Sequence, residues 1–231
     1  MGFRLFEMRT GLLASIEEAE HPSRLFAWQG ETLSLPDGAT YFGYVQSGKT
    51  RIRTGGDSFP LRPGMYFSAP SAATIEGEGQ GVVMARLGYA GFFQIGGPIE
   101  ARGRLCYIDG CTDSLLLSPV MLGDPCLNLL HFPPGIRQTA HTHPSARLGM
   151  VTRGEGRCLL ERETVPLLPG SVFIIEAGTV HGFSTEERDM TVIAYHPDSD
   201  FGPTHRDHPM INRTLVEGVS AKYLDQIQTN G

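Results

Sequence analysis

The sequence has few features of a membrane or secreted protein. None of its apolar runs approaches the roughly 18 residues that a helix needs to cross a bilayer. The opening stretch, MGFRLFEMRTGLL, interleaves charges with short apolar runs and lacks the continuous apolar region of a signal peptide. We therefore expect a cytoplasmic protein with no membrane partner.

Cysteine and positive charge are also scarce. The four cysteines show no CxxC spacing, which argues against a disulfide framework or a zinc knuckle and favours reduced thiols. A bridge between Cys106 and Cys111 across a turn is the alternative that stays open. Lys and Arg total 19 against 25 Asp and Glu, for a formal charge of −6, so nucleic acid is not an expected partner.

Glycine and proline, in contrast, are abundant, with 29 and 16 copies. They bound short alternating segments such as YFGYVQ and TRIRTG, and they form turn signals such as LPDG, GGD and RPG. Regular short strands of this kind are typical of an all-β sandwich or barrel. Near the end, Leu215, Val219, Tyr223 and Ile227 recur every four residues, which predicts a short C-terminal helix with one apolar face.

An internal repeat divides the chain in two. A shift of 106 positions superimposes turn glycines and apolar residues, and the matching pairs include Gly43 and Gly149, Val45 and Val151, Gly48 and Gly154, Leu61 and Leu167, Gly64 and Gly170, and Met84 and Met190. Such agreement predicts two similar domains in tandem. We place the first over residues 1–100 and the second over residues 101–231.

Three histidines of the second domain form a candidate metal site. His141 and His143 are separated by one residue, so on a strand their side chains leave the same face. His181 follows after Gly- and Pro-marked turns that bring an antiparallel strand back beside the first. Neutral imidazoles suit Fe(II), Zn, Ni, Cu and Mn, so we expect these three to share one divalent ion.

The spacing around these histidines resembles the two motifs of the cupin superfamily. The matching residues of the first motif are Gly135, His141, His143 and Gly154, and those of the second are Gly170, Gly178 and His181. Arg147 stands where the family has Glu, Glu176 replaces the usual Pro, and Thr185 replaces the usual Asn. The resemblance implies two antiparallel, jelly-roll-like double-stranded barrels, a bicupin, with a divalent metal in the second barrel and a homodimeric assembly.

The same 106-residue shift predicts that the first barrel has lost the ligands. It aligns His141, His143, Arg147 and His181 with Leu35, Asp37, Tyr41 and Ile75. We therefore expect the first barrel to serve packing, dimerisation or the wall of the second barrel's pocket.

Arg147 is the departure from the family pattern that most affects the chemistry. Strand parity points its side chain the same way as His143, but a guanidinium stays protonated and cannot ligate a metal. Three arrangements are open: it clamps a substrate carboxylate or enolate, it pairs with an internal carboxylate such as Glu176, or it turns to solvent.

Other polar residues are weaker candidates. His131 precedes a PPG turn and either lines the pocket as an acid, base or supporting group, or is a core or rim histidine. Glu176 is either a general base or a surface carboxylate. His205 and His208 lie beyond the barrel, on a segment that either folds over its mouth or is solvated.

The ligand set resembles that of three-histidine cupin dioxygenases, such as those cleaving gentisate, diketones or cysteine. This resemblance implies a metal-dependent oxidoreductase, a non-haem Fe(II) dioxygenase-like enzyme acting on a small anionic substrate. Fe(II) is the expected ion, with Zn, Ni and Mn as alternatives, and the candidate catalytic residues are Arg147, Glu176 and His131. Two other functions stay open: a non-enzymatic small-molecule-binding or sensing cupin, and a Lewis-acid isomerase or lyase.

Overall fold

The computed structural model describes residues 2–17, 19–204 and 208–229, and these residues are organised almost entirely as antiparallel strands. The strands of the first half are β1 Phe3–Phe6, β2 Gly11–Ile16, β3 Ser23–Gln29, β4 Leu33–Leu35, β5 Ala39–Ser47, β6 Thr50–Thr54, β7 Asp57–Leu61, β8 Tyr66–Ala69, β9 Ala73–Gly77, β10 Gln80–Leu87 and β11 Gln94–Gly96.

The elements of the second half are β12 Leu105–Cys106, β13 Thr112–Leu117, β14 Cys126–Phe132, β15 Arg147–Gly154, β16 Gly156–Leu160, β17 Thr164–Leu167, β18 Val172–Ile175, β19 His181–Ser184, β20 Met190–His196, the helix α1 Pro209–Arg213, β21 Leu215–Val216 and β22 Val219–Ser220. Short 3-10 turns cover Ile108–Gly110, Ala221–Tyr223 and Asp225–Ile227.

Each half forms a double-stranded barrel from two facing sheets. The first has sheets of order β11-β8-β5-β10-β3-β2 and β4-β9-β6-β7, and the second has β1-β18-β15-β20-β14-β13-β12 and β17-β16-β19. Two isolated bridges, Arg137 to Ser184 and His141 to His181, extend the sheet β17-β16-β19 next to β19. In the first barrel, β4 has the equivalent position next to β9. The predicted all-β class and tandem barrels are confirmed.

Three apolar clusters hold this arrangement together. One fills each barrel, around Ile52 and Phe67 in the first and around Phe132 and Phe183 in the second. The third lies between the barrels, where Phe42 packs on Tyr195 with ring centroids 5.3 Å apart. Because β5 contributes to both an interior and the interface, its side chains are buried on both faces.

The first strand of the chain crosses to the other barrel. Strand β1 pairs with β18, with Phe3 opposite Ile175 and Phe6 opposite Val172, and Phe3 stacks on Phe173 at 5.9 Å. Residues Phe3–Phe6 thus belong by their hydrogen bonds to the second barrel's sheet. The domain boundary at residue 100 stays a prediction. Strand β1 precedes that boundary in the sequence but pairs with a strand that follows it.

The 106-residue repeat corresponds to a repeated hydrogen-bond pattern. In the first barrel Gly64 N–H donates to the carbonyl of Val45 at 2.8 Å, and in the second Gly170 N–H donates to Val151 at 2.8 Å. Gly43 and Gly149 face the rings of Phe67 and Phe173, which lie so close that a Cβ at either glycine would meet ring carbons within 2.1 and 2.6 Å. Glycine is therefore required at both positions because an aromatic ring lies across the strand.

The match between Met84 and Met190 is wrong. Phe42 pairs with Met84, whereas its equivalent in the second barrel, Leu148, pairs with Tyr195. Met84 therefore corresponds to Tyr195. The chain between β18 and β20 is longer than that between β8 and β10, so the constant shift fails after β18.

The predicted C-terminal helix is present but displaced. It covers Pro209–Arg213, whereas the four-residue pattern from Leu215 onward begins in the hairpin of β21 and β22. Glu217 and Gly218 both have positive φ, 51° and 82°, as a two-residue hairpin turn requires. Local turn chemistry thus overrides the apolar period, and the residues of that period are exposed: Leu215, Val219, Tyr223 and Ile227.

The cysteines and the helix of the described residues agree with the sequence-based expectations. All four cysteines are free thiols, so the alternative bridge between Cys106 and Cys111 is absent. Helix α1 has five residues, and no helix within the described ranges is able to span a bilayer.

A pair of glycines offers a test of the second barrel's turns. Gly154 and Gly170 both have positive φ, but only at Gly154 would a Cβ clash, 1.8 Å from the carbonyl oxygen of Asp189. We expect Gly170→Ala to lower the free energy of unfolding by about 1–2 kcal/mol, the left-handed backbone cost. Gly154→Ala adds a backbone clash and should cost more than about 4 kcal/mol. Urea denaturation measures both, and equal losses would contradict the steric explanation.

Candidate metal centre

The three predicted histidines lie together inside the second barrel. His141 and His181 face each other across an antiparallel bridge, each donating its backbone N–H to the other's carbonyl at 2.9 Å. His143 lies beside them, and its carbonyl accepts from Gly178 N–H at 2.9 Å. Ring centroids are 4.6 to 5.1 Å apart, and one ring nitrogen from each lies within 4.8 Å of the others.

Backbone carbonyls fix the tautomers of two of these rings. His141 Nδ1 lies 2.7 Å from the carbonyl oxygen of Thr139, and His181 Nδ1 lies 2.9 Å from that of Thr179. A carbonyl only accepts, so each Nδ1 carries the hydrogen and each Nε2 keeps its lone pair. Metal-binding histidines are oriented in this way, by a hydrogen bond from the nitrogen that does not ligate.

The protonation states fit the same role. Burial lowers the pKa of His143 to about 3, helped by the nearby Arg147 guanidinium, His181 and His141. Burial also lowers the pKa of His181 to about 4, although the Thr179 carbonyl opposes the shift. Both rings are therefore neutral at pH 7, as a metal ligand must be. Three converging imidazoles fit a divalent ion of the Fe(II), Zn, Ni or Mn type.

Buried core residues occupy most of the equivalent positions in the first barrel, while Asp37, aligned with His143, is exposed. Leu35 faces Ala73 where His141 faces His181, and Tyr41 occupies the position of Arg147. The predicted equivalence of His181 with Ile75 is wrong by two residues, because Ile75 pairs with Ile52 where Phe183 pairs with Cys158. None of Leu35, Tyr41 and Ala73 has a side chain that ligates a metal as an imidazole does, and the loss of metal binding by the first barrel stays a prediction. Among the residues that the structure describes, these three histidines are the one cluster of His, Cys, Asp or Glu side chains that could hold a metal ion.

A cavity of about 150 Å³ adjoins the histidines. Its wall is mainly apolar, and it is lined by Tyr107, Asp113, Asn128, Leu130, Phe132, Gln138, Arg147, Phe173, Ile175, Phe183, Val192, Ala194 and His196 beside the three histidines. A cavity of that volume holds a molecule about the size of benzene. An apolar enclosure with a few polar groups is typical of small-molecule sites.

A second cavity of about 530 Å³ lies on the other side of this wall. The two cavities share the side chains of Tyr107, Asp113, Asn128, His143, Arg147 and His196, and the outer one extends past Leu105 and Phe201. These shared side chains form a partition between an inner chamber at the histidines and an outer chamber. A ligand entering through the outer chamber passes this polar partition.

Arg147 is held in the partition by an internal network. Its Nη1 donates to Ser145 Oγ at 2.6 Å and to the carbonyls of Ser145 and Ala146 at 3.1 Å, and it lies 4.0 Å from Asp198 Oδ1. Ser145 Oγ itself donates to Asp198. The side chain is 12% exposed, so the solvent-facing arrangement is wrong. The internal carboxylate is Asp198, whereas Glu176 pairs with Arg4 at 3.5 Å.

The first barrel contributes to this network. His21 Nε2 lies 3.6 Å from Asp198 Oδ2, and Arg86 Nη2 lies 3.0 Å from His21 Nδ1. Arg86 also donates from Nε to the carbonyl of Pro197 at 3.2 Å. A chain of polar contacts thus runs from Arg86 and His21, through Asp198 and Ser145, to Arg147.

This inter-barrel chain predicts energetic coupling. We expect Asp198→Asn to lower the free energy of unfolding by about 1–2 kcal/mol, because the Asp198 and His21 side chains are only partly buried. His21→Gln should have a smaller effect. The double variant should be less destabilised than the sum of the single variants by roughly 0.5 kcal/mol or more, which urea denaturation measures. Additive effects would contradict a contact between the two side chains.

The other predicted candidates lie outside the cavity. His131 is buried, and its Nε2 lies 3.2 Å from Asp189 Oδ2. Its neighbours Leu130 and Phe132 line the cavity, so strand alternation directs His131 to the opposite face. Glu176 lies at the surface with Arg4. Neither residue lines the cavity beside the three histidines, and their acid or base role stays a prediction.

Of the two C-terminal histidines, His208 lies outside the candidate site. His208 caps helix α1, where its ring accepts from the backbone N–H groups of Met210 and Ile211. His205 lies outside the described residues.

Several polar residues of the cavity were missed from the sequence. Asn128 Nδ2 donates to Asp113 Oδ2 at 3.0 Å, and burial raises the pKa of Asp113 while the Asn128 hydrogen bond opposes that shift. Gln138 Oε1 accepts from Phe183 N–H at 3.2 Å. The His196 ring lies 6.4 Å from that of His143, and burial lowers its pKa well below the usual value. Strand parity was the available signal for Asn128, because it shares a face with Leu130 and Phe132.

Comparisons with known proteins agree with this geometry. The Cupin domain family model matches residues 128–196, which include all three histidines. No curated protein matches the sequence. Solved structures show the same fold at low identity.

Three of these structures illustrate the similarity. Protein Ylba from E. coli is 19% identical, with 85% of this chain and 91% of that chain covered and a TM-score of 0.61. A cupin 2 conserved barrel domain protein from Leptotrichia buccalis is 15% identical, with coverages of 82% and 91% and a TM-score of 0.58. Salicylate 1,2-dioxygenase from Pseudaminobacter salicylatoxidans is 11% identical, with coverages of 81% and 76% and a TM-score of 0.60.

The family match covers the strands that carry the histidines, and the structural matches extend over both barrels. The presence of Arg147 where the family motif has Glu leaves the histidine cluster intact. Residues 128–196 are therefore a cupin domain, and the chain as a whole has a tandem-barrel fold with a cluster of three histidines in its C-terminal barrel.

Proposed function

We propose that this protein is a metal-dependent enzyme of the non-haem Fe(II) dioxygenase type, acting on a small anionic substrate in the second barrel. The observation that carries the proposal is the convergence of three imidazoles at the wall of an apolar cavity of about 150 Å³, two of them with Nδ1 hydrogen-bonded to a backbone carbonyl. The similarity in fold to salicylate 1,2-dioxygenase supports it.

The charge of the site favours an anion. Three neutral ligands leave the double charge of a bound ion uncompensated, and the Arg147 guanidinium in the partition adds a further positive charge. Asp198 and Asp200 in the outer chamber, and Asp113 in the partition, offset part of that charge, so the attraction depends on the bound ion. A small anionic substrate is therefore attracted from the outer chamber toward the histidines.

The chain's residues supply binding and orientation. His141, His143 and His181 would hold the ion, which as Fe(II) supplies a Lewis acid and an electron donor for O₂ chemistry. Arg147, fixed by Ser145 and Asp198, orients the anionic group. The apolar wall around Phe132 and Ile175 excludes water, which strengthens these electrostatic interactions.

Oxygen uptake tests the proposal. Protein purified without a tag and reconstituted anaerobically with Fe(II) should consume O₂ in the presence of one class from a panel of β-diketones, hydroxybenzoates and thiol acids. The His141→Ala variant serves as the control and should consume none. Iron-loaded protein that stays silent across the panel would contradict the dioxygenase proposal. A substrate-binding response without oxygen uptake would instead favour a sensing cupin or a Lewis-acid isomerase or lyase.

The homodimer implied by the family resemblance stays a prediction. The C-terminal segment supports it, because Leu215, Tyr223 and Ile227 are more than half exposed and lie beyond the barrels. Apolar side chains so exposed are common in contact surfaces between subunits.

A further inference from the structure

Two buried polar atoms in the partition lack a hydrogen-bond partner within the described chain. One is Arg147 Nε, a donor, and the other is Asn128 Oδ1, an acceptor. Buried polar atoms are nearly always paired in folded proteins, because an unpaired one loses its hydration without compensation. Two unpaired atoms of opposite polarity in one cavity wall therefore indicate a polar ligand.

The environment of Asn128 defines which atom is free. Asn128 lies on β14, is 9% exposed as a residue, and lines both chambers. Its Nδ2 is committed to Asp113 Oδ2 at 3.0 Å, which leaves Oδ1 as an acceptor. The carboxyl group of Asp113 lines the same two chambers and adds further acceptor capacity.

The environment of Arg147 leaves a hydrogen-bond donor without an acceptor. Its Nη1 is occupied by Ser145 and Ala146, whereas Nε has no partner among the described residues. A guanidinium N–H offers a hydrogen bond only to an acceptor, and a carboxylate oxygen is the acceptor that matches its charge. The partition thus combines a cationic donor with neutral and acidic acceptors.

We propose that the ligand of this partition is a small carboxylate that also carries a hydroxyl or amino group, whose hydrogen is donated to Asn128 Oδ1. The carboxylate accepts a hydrogen bond from Arg147 Nε, and its contact with a bound ion rests on the proposed function. The donor requirement is independent of it, because it follows from Asn128 alone. A hydroxy- or amino-carboxylate satisfies both unpaired atoms, whereas a simple carboxylate leaves the amide oxygen unpaired.

Lactate and propionate are suitable probes, because they differ by one hydroxyl group. Zinc-loaded full-length protein avoids redox turnover, and isothermal titration calorimetry gives both dissociation constants. We expect lactate to bind more tightly than propionate. In Asn128→Leu, the dissociation constant for propionate divided by that for lactate should fall roughly tenfold, because one buried hydrogen bond to the hydroxyl is lost. The hydroxyl's own contact with zinc stays constant between protein variants, so the change in ratio reports on Asn128.

Leu130→Val is the matched control. Leu130 lies on the same strand and lines the same inner cavity, but it has no polar side-chain atom. This variant should change the affinities for both probes by similar factors and leave their ratio unchanged. Thermal unfolding checks that each variant folds, and Asn128→Ala replaces Asn128→Leu if the latter does not.

The outcomes separate this inference from the proposed function. A ratio that is equal in the wild-type protein and the Asn128 variant would overturn the donor requirement, and so would failure of lactate, 3-hydroxypropionate and β-alanine to bind any better than propionate. Zinc content is measured on the same samples. Protein that retains no zinc contradicts the proposed metal function, while the ratio measured on that metal-free protein still decides whether Asn128 accepts a hydrogen bond.

Discussion

The His141→Ala variant is expected to bind Zn²⁺ or Fe(II) at least ~100-fold more weakly than the wild-type protein. Loss of groups that only orient a metal ligand already costs about 10- to 100-fold in affinity, so loss of a ligand should cost at least as much. His141 is partly exposed, whereas His181 is 1% exposed, so His141→Ala removes the ligand with less damage to the core. Competition titration with a chelating dye measures the affinity.

His208→Ala is the control for this prediction. His208 is a histidine of the same chain, but it caps helix α1 and is exposed. Its replacement removes no ligand, so metal affinity should stay within about twofold of the wild type. Equal affinity of the His141→Ala and wild-type proteins would contradict the assignment of His141 as a ligand.

The Arg147→Met variant is expected to bind small carboxylates about 10- to 100-fold more weakly while it retains the metal. Hydrogen bonds to charged groups contribute about 1.5–3 kcal/mol, and methionine keeps much of the side chain's volume without its charge. Metal affinity should be unchanged or higher, because the guanidinium repels a cation. Calorimetric titration of zinc-loaded protein with propionate measures the first effect, and metal analysis measures the second.

Arg153→Met provides the comparison for Arg147. Arg153 lies on the same strand, β15, but its side chain is half exposed and pairs with Asp189 at 3.0 Å. Its replacement should leave carboxylate binding unchanged. If Arg147→Met lowers the melting temperature and leaves propionate binding intact, the guanidinium has a structural role with Asp198 alone.

The cluster of three histidines was predictable because its signal is local. His141 and His143 share a strand face by their spacing, and the glycines around them mark the turns that return His181 to the same place. The repeat was equally readable up to β18, since Gly43 and Gly149 are required by the same packing against a phenylalanine ring. Beyond that point a longer connection shifts the register, which a constant offset does not detect.

The supporting residues were not predictable because their contacts are long-range. Asp198 follows the last barrel strand and meets His21 of the first barrel, a pairing that depends on how the barrels pack. Glu176 has the more suggestive sequence position, yet β1 crosses over and brings Arg4 to it. The apolar period after Leu215 failed for a different reason, because the turn at Glu217 and Gly218 is more decisive than a weak helical pattern.

The most direct test of the account is anomalous diffraction from crystals of untagged protein grown with Fe(II) or Zn²⁺, with data collected above and below the absorption edge of the metal. The account predicts one anomalous peak per chain, within coordination distance of ring nitrogens of His141, His143 and His181, and none in the first barrel beside Leu35 and Ala73. A second barrel with no peak in the presence of excess metal, or a peak that the three histidines do not surround, would contradict it.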